Sequence, residues 1–125
     1  MYVSTEPSLV WTAWVPSWTG YSANPTSVTA RYQIVGKTCL CHLTGTAGTS
    51  NATTLTVTLP FTAANTSQQI AHLCRARDNS ALATGGCIYA TRANSNICDF
   101  YTGGGSVWTA AGTKLVEFEF SYEIA

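Results

Sequence analysis

Residues 28–44, VTARYQIVGKTCLCHLT, carry the clearest strand pattern in the chain. Small or apolar side chains alternate with mostly polar ones on both sides of the Gly36-Lys37 pair. This period of two is typical of strands that bury one face. A glycine at the first central position of a two-residue loop favours a type II′ turn. The stretch therefore predicts a β-hairpin over residues 28–45.

The turn also predicts the register of this hairpin. On the core face the expected pairs are Ile34 with Cys39, Tyr32 with Cys41 and Ala30 with Leu43. On the other face Thr29, Arg31 and Gln33 oppose Thr44, His42 and Leu40. A slip of one residue would place Cys and Leu opposite Arg and Gln, so the hydrophobic pattern favours one register.

Five further strands are predicted after the hairpin. Alternation or β-favouring residues mark segments 53–61, 69–77, 86–92, 95–102 and 114–124, and Gly, Asn and Ser clusters separate them. In the last segment Val116, Phe118, Phe120, Tyr122 and Ile124 share one face, which indicates a central place in the sheet. About seven to eight such strands predict an all-β fold, an antiparallel two-sheet β-sandwich that is jelly-roll-like.

The length of 125 residues fits a single domain. Residues 28–125 are expected to form the β-sandwich. Residues 1–27 are expected to form an N-terminal extended aromatic segment with Trp11, Trp14 and Trp18 around Pro16. These three tryptophans are candidates for a subunit interface, or they pack on the body of the domain.

Charge is scarce, and its scarcity limits the function classes. Six Lys and Arg balance six Asp and Glu, and only 10% of the residues are charged, while 20 Thr and 11 Ser supply polar groups. A neutral chain without a basic stripe argues against nucleic-acid binding. No apolar run reaches the roughly 18 residues of a membrane helix, and residues 1–7 do not resemble a signal peptide.

The five cysteines are Cys39, Cys41, Cys74, Cys87 and Cys98. An odd number leaves at least one thiol free or paired between chains. Cys39 and Cys41 lie on one strand face, where a disulfide between them would be strained. A zinc site that uses His42 is disfavoured, because His42 points to the opposite face. Buried, reduced cysteines are expected, as in a protein that folds in a reducing cytoplasm.

Residues with catalytic potential do not form a recognisable motif. The two histidines lack a G-x-S-x-G nucleophile. Glu117, Glu119 and Glu123 form one solvated row, and residues 103–105 are glycines without the Lys-Ser/Thr of a phosphate loop. The expectation is a protein that is not an enzyme, with no cofactor and no metal.

Surface recognition is then the expected activity. Aromatic rings stack on sugars, and Asn, Ser and Thr supply hydrogen bonds. Trp108, Tyr101 and Tyr89 are the ligand-binding candidates, and Trp108 lies in a Gly-flanked loop. The alternative for each of the three is packing in the core or at a subunit interface.

Four motifs in order resemble the C-terminal domains of phage tail-fibre and minor virion proteins. They are Trp14-x3-Trp18-Thr19-Gly20, Ala30-Arg31-Tyr32-x3-Gly36-Lys37, Leu55-x3-Leu59-Pro60-Phe61-Thr62-Ala63-Ala64 and Glu119-Phe120-Ser121-Tyr122-Glu123-Ile124. The cysteines and residues 68–79 are not part of this pattern. The resemblance spans nearly the whole chain.

The resemblance implies a β-sandwich tip domain, usually a homotrimer, on the surface of a virion. It implies attachment to a host-cell glycan or protein and contacts with other virion proteins, without catalytic residues. Alternatives are a structural virion component, such as a head fibre, capsid decoration or tail assembly protein, and a secreted carbohydrate-binding module. Such a chain is expected to fold in the host cytoplasm and to reside in the virion.

Overall fold

The computed structural model of the chain describes residues 10–66, 69–83, 86–103 and 105–125, without the side chains of residues 70–74. The regular structure in these ranges is β-strand, and the strand pairs are antiparallel. The strands are β1 (Thr12–Ala13), β2 (Trp18–Thr19), β3 (Thr26–Val35), β4 (Thr38–Thr46), β5 (Gly48–Thr49), β6 (Leu55–Thr58), β7 (Ile70–Asp78), β8 (Ala81–Leu82), β9 (Cys87–Thr91), β10 (Ile97–Thr102) and β11 (Thr113–Glu123). The predicted all-β class is confirmed. These ranges contain no helix with the length and apolar character needed to cross a membrane.

The strands form a ladder in the order β1-β3-β4-β11-β7-β9-β10-β6-β2, with β5 beside β11 and β8 beside β7. Seven of the eleven strands correspond to the segments predicted from the sequence. The other four, β1, β2, β5 and β8, have two residues each. A period of two cannot be recognised over so short a segment, so the strand count was predicted too low.

The hairpin of β3 and β4 has the predicted register. Ile34 pairs with Cys39, Tyr32 with Cys41 and Ala30 with Leu43. Gly36 has a φ of 59°, and a type II′ turn needs a positive φ at this position. Cys39, Cys41 and Leu43 are fully buried, whereas Arg31 on the alternate face is exposed. Alternation therefore predicted both faces correctly.

The ladder folds over on itself, and its two layers enclose the core. β7 has one extra residue relative to β9, and such a bulge bends a strand and increases its twist. Between the layers, the rings of Tyr89 and Phe120 stack with centroids 3.7 Å apart. Phe100 and Phe118 stack at 5.3 Å. Aromatic side chains from β9, β10 and β11 thus form the centre of the core.

β11 is central, as predicted, with β4 on one side and β7 on the other. The side chains of Val116, Phe118, Phe120 and Tyr122 are buried on its inner face. The outer face carries the three glutamates, which are partly or fully exposed. Leu115 is the exception on that face, because it is only 5% exposed next to the residues that pair with β5.

The aromatic N-terminal segment contributes both ends of the ladder. β1 pairs with β3, and β2 pairs with β6. β3 begins at Thr26, slightly before the predicted boundary at residue 28. The described part of this segment is therefore continuous with the sheet of the body.

The cysteines are in two states. Cys39, Cys41 and Cys98 are free, buried thiols, as predicted. Cys87 is disulfide-bonded, so the prediction of reduced cysteines is wrong for this residue. The backbone of Cys87 lies opposite that of Cys74 in the ladder of β7 and β9. Spacing along the chain does not reveal which cysteine forms a disulfide, because that depends on the distance between residues brought together by folding.

Candidate functional site

Trp108, a predicted ligand-stacking residue, lies in the core. Only 1% of its surface is exposed. Its indole N–H donates to the carbonyl oxygen of Phe100 (2.8 Å), and its backbone N–H donates to that of Thr53 (3.0 Å). Neither face of the ring is open to a sugar, so the structure corrects this expectation in favour of core packing.

Tyr89 and Tyr101 do not form a joint site with Trp108. Tyr89 is 4% exposed and stacks on Phe120, and its hydroxyl donates to the Ser121 carbonyl oxygen (3.4 Å). Burial raises the pKa of Tyr89 to about 12. Tyr101 is half-buried near the end of β10. Of the three candidates, only Tyr101 keeps a substantial exposed fraction.

The structure brings a different set of aromatic residues to the surface. Residues 11–18, which we call the tryptophan strap, run from β1 at one end of the ladder to β2 at the other. The backbone N–H of Trp14 donates to the Ala30 carbonyl oxygen in β3 (3.1 Å). Its indole N–H donates to the Thr58 carbonyl oxygen in β6 (3.1 Å). One tryptophan thus ties both ends of the ladder together.

Further contacts hold the strap in place. The backbone N–H of Ser17 donates to the Thr58 hydroxyl (2.7 Å), and the Ser17 carbonyl oxygen accepts the Thr58 N–H (3.0 Å). Trp18 lies edge-to-face against Tyr21, with centroids 5.5 Å apart. Trp14 and Trp18 pack on the core, and both stay partly exposed. The subunit-interface role of the three tryptophans stays a prediction.

Two surface grooves flank Val15, which is 92% exposed. The larger, about 550 Å³, is the Trp11 groove between the strap and β3. Its lining includes Trp11, Trp14, Val15, Val28, Thr29 and Arg31. The smaller, about 300 Å³, is lined by Trp14, Trp18, Asn24 and Pro25 among others. Both volumes fall in the range of ligand pockets, about 300–1,000 Å³.

Arg31 is the charged residue of the Trp11 groove. Its guanidinium carbon lies 4.8 Å from the centroid of the Trp11 ring, which is within cation–π distance. The same ring meets His42 edge-on, with centroids 6.4 Å apart. Strand pairing places Arg31, His42 and Glu119 in one row across β3, β4 and β11. The groove therefore combines an apolar floor with a cation at its rim.

A second polar cluster surrounds the buried Lys114 and joins loops. Lys114 is fully buried, and its ammonium donates to the carbonyl oxygens of Ser50 (3.0 Å) and Ala111 (3.1 Å). Burial lowers the pKa of Lys114, and the charge of Asp78 offsets part of this effect. Asp78 also accepts the backbone N–H and the hydroxyl of Thr109. In the described part of the chain, no group of three or more His, Cys, Asp or Glu is arranged to hold a metal ion.

Comparisons of this chain with protein-family models, curated proteins and solved structures find no significant match. The candidate site is therefore defined by its geometry.

The sequence signal of the candidate site is the presence of three tryptophans in residues 11–18. Sequence reasoning missed that Val28 and Arg31 join them, because that contact depends on how the segment packs on β3.

Proposed function

We propose that this protein is a non-enzymatic surface protein of a bacteriophage virion, a tail-fibre-tip-like domain that recognises a receptor on the host cell. The observation that carries the proposal is the tryptophan strap. It holds partly exposed aromatic rings beside two grooves on a surface with few charges. Preformed, largely apolar grooves with a few polar groups suit ligand recognition.

Contacts between the family-like motifs support the proposal. Tyr32, from the second motif, lies edge-to-face against Phe61 of the third, with centroids 5.0 Å apart. Tyr122, from the last motif, hydrogen-bonds the backbone of Phe61. Trp14, from the first motif, donates to Ala30 of the second. The four motifs are therefore linked by direct contacts, so the residues that carry the resemblance build one framework that includes the strap.

A structural virion component is the second candidate. Val10 and Val15 are 72% and 92% exposed, and apolar side chains beside tryptophans also suit contacts between subunits. In a homotrimer, or against another virion protein, the strap would be covered and unable to reach a receptor. The position of the chain in the particle separates the two candidates.

Cell binding with matched variants tests the receptor proposal. The fluorescently labelled chain is mixed with a panel of bacterial strains, and its Val15→Asp variant is compared with Val35→Asp. Both valines are exposed, but only Val15 borders the grooves. We expect Val15→Asp to weaken binding at least tenfold and Val35→Asp to leave it unchanged. Equal binding by both variants, or no binding of the unaltered chain to any strain, overturns the proposal.

Electron microscopy tests the virion location. Gold-labelled antibody against the chain is applied to particles from an induced culture that carries the gene. We expect label at the tail tip. Label on the capsid would favour the structural candidate, and unlabelled particles would overturn both.

A further inference from the structure

We infer that the Trp11 groove binds an acidic saccharide, with the sugar ring against Trp14 and the sugar carboxylate on Arg31. The inference rests on the proposed receptor function and assigns a ligand class to it. Three observations carry it: the free donors of Arg31, the absence of an acidic residue among the described residues that line the groove, and the fixed position of the aromatic surface.

Arg31 differs from the other five basic residues. Lys37, Arg75, Arg77, Arg92 and Lys114 each donate to a protein oxygen. In the described part of the chain, Arg31 has neither a hydrogen bond nor an ion pair, and its guanidinium stacks on Trp11 instead. A guanidinium has five N–H donors in a fork that matches a carboxylate. Those of Arg31 are available to a ligand at the rim of the groove.

The charge of the groove favours an anion. Among the described residues, Arg31 is the only charged one in the lining of the groove. In the row across the sheet, His42 lies between Arg31 and Glu119. The backbones of Arg31 and Glu119 are therefore two strand spacings apart, each of about 4.8 Å. An unpaired cation beside an apolar floor attracts a negatively charged group more strongly than a neutral one, since the floor offers little competing solvation.

The apolar surface beside Arg31 is held in place before any ligand arrives. Two hydrogen bonds fix Trp14 between the ends of the ladder, and Val28 lines the groove from β3. A sugar ring can place its C–H face on this surface and direct its hydroxyls to solvent or to Thr29. Trp11 restrains the Arg31 side chain, so less side-chain entropy is lost on binding. Trp11 is therefore assigned a positioning role.

Calorimetric titration of the whole chain tests the inference. The ligands are trigalacturonate, triglucuronate and sialyllactose, each paired with its carboxyl methyl ester, which keeps the ring but removes the charge. We expect saturable binding of at least one acid and at least tenfold weaker binding of its ester. Arg31→Gln should lower the affinity for the acid at least tenfold. Arg31→Lys, which keeps the charge but loses the fork, should lower it less.

Arg92→Gln is the matched control, because Arg92 is also an exposed arginine but is paired with Asp99 at 2.7 and 2.8 Å. It should bind like the unaltered chain, and thermal unfolding checks that each variant is folded. Equal affinity for acid and ester, unchanged affinity in Arg31→Gln, or no binding of any of the three acids overturns the inference.

The cell-binding experiment separates failure of the inference from failure of the proposed function. If Arg31→Gln binds cells as the unaltered chain does, the acidic-saccharide inference fails and the receptor function stands. If the unaltered chain binds no cells, the receptor function fails. The calorimetric titration alone then decides whether the Trp11 groove binds an acidic saccharide.

Discussion

The hydroxyl group of Tyr122 is hydrogen-bonded to both backbone groups of Phe61: it donates to the carbonyl oxygen at 3.0 Å and accepts the N–H at 3.1 Å. Tyr122 is 2% exposed in the central strand β11, and Phe61 follows β6 at the far end of the ladder. The Phe61 ring also lies against Tyr32. One phenol therefore satisfies both backbone groups of Phe61, a residue outside the strands.

Replacing Tyr122 by Phe should destabilise the protein by about 1–3 kcal/mol, because two backbone groups lose their partner. Tyr89→Phe is the control, since the Tyr89 hydroxyl makes one long contact of 3.4 Å to Ser121. Its loss should cost less than about 1 kcal/mol. Urea unfolding of both variants measures the free energies. Equal costs would show that the Phe61 contacts contribute little.

Replacing Lys114 by Met should also destabilise the fold, by about 1–3 kcal/mol at pH 7, because the carbonyls of Ser50 and Ala111 lose their donor. The difference should depend on pH. Burial lowers the pKa of Lys114 below its ordinary 10.5, so as the pH approaches 10.5 the unfolded chain holds more protons than the folded one. The titration of Lys114 therefore makes the unaltered chain more stable as the pH rises.

Urea unfolding from pH 7 to 10.5 tests this dependence. The difference between the unaltered chain and Lys114→Met cancels the other titrating groups, and we expect it to grow with pH. A constant difference would contradict the assignment of a lowered pKa to this lysine.

The buried thiols should make the protein less stable at alkaline pH. Burial raises the pKa of Cys39, Cys41 and Cys98 above the ordinary 9.0. As the pH rises through 9 the unfolded chain loses protons that the folded chain keeps, whereas well below pH 9 these groups do not contribute to the pH dependence. For Cys41 and Cys98, which have the largest shifts, each thiol should lower the free energy of unfolding by up to about 1.4 kcal/mol per pH unit above pH 9. Cys98→Ala should make the slope between pH 9 and 10 shallower by about 0.7 of a proton, because the unfolded thiol is only half ionised at pH 9. An unchanged slope would contradict this.

Gly20→Ala should be more destabilising than Gly36→Ala, although both glycines have a left-handed φ, 99° and 59°. A Cβ at Gly36 meets open space, so the change costs only the backbone strain of about 1–2 kcal/mol. A Cβ at Gly20 collides with the carbonyl oxygen of Thr54, and the adjacent strap must shift. Urea unfolding and tryptophan fluorescence check both effects. Equal costs and an unchanged spectrum for Gly20→Ala would contradict the clash.

The difference between Trp108 and Trp14 explains why the site was only partly predictable. Both are tryptophans near turn residues, and the sequence favours Trp108 as the ligand contact because glycines flank its loop. In the structure the Trp108 ring is buried, whereas Trp14 lines two grooves. Neither position follows from local pattern, because each ring is placed by segments distant in the chain.

The local sequence pattern was sufficient to predict the all-β class. It also predicted the two faces and the register of β3 and β4, and the inward face of β11. Each of these follows from burying one side of a strand, which its own residues specify. Three-dimensional packing was needed for the ladder order, the closure of its ends and the exposure of each tryptophan. Closure depends on contacts such as that between Trp14 and Thr58, 44 residues apart, and a period of two carries no information over that distance.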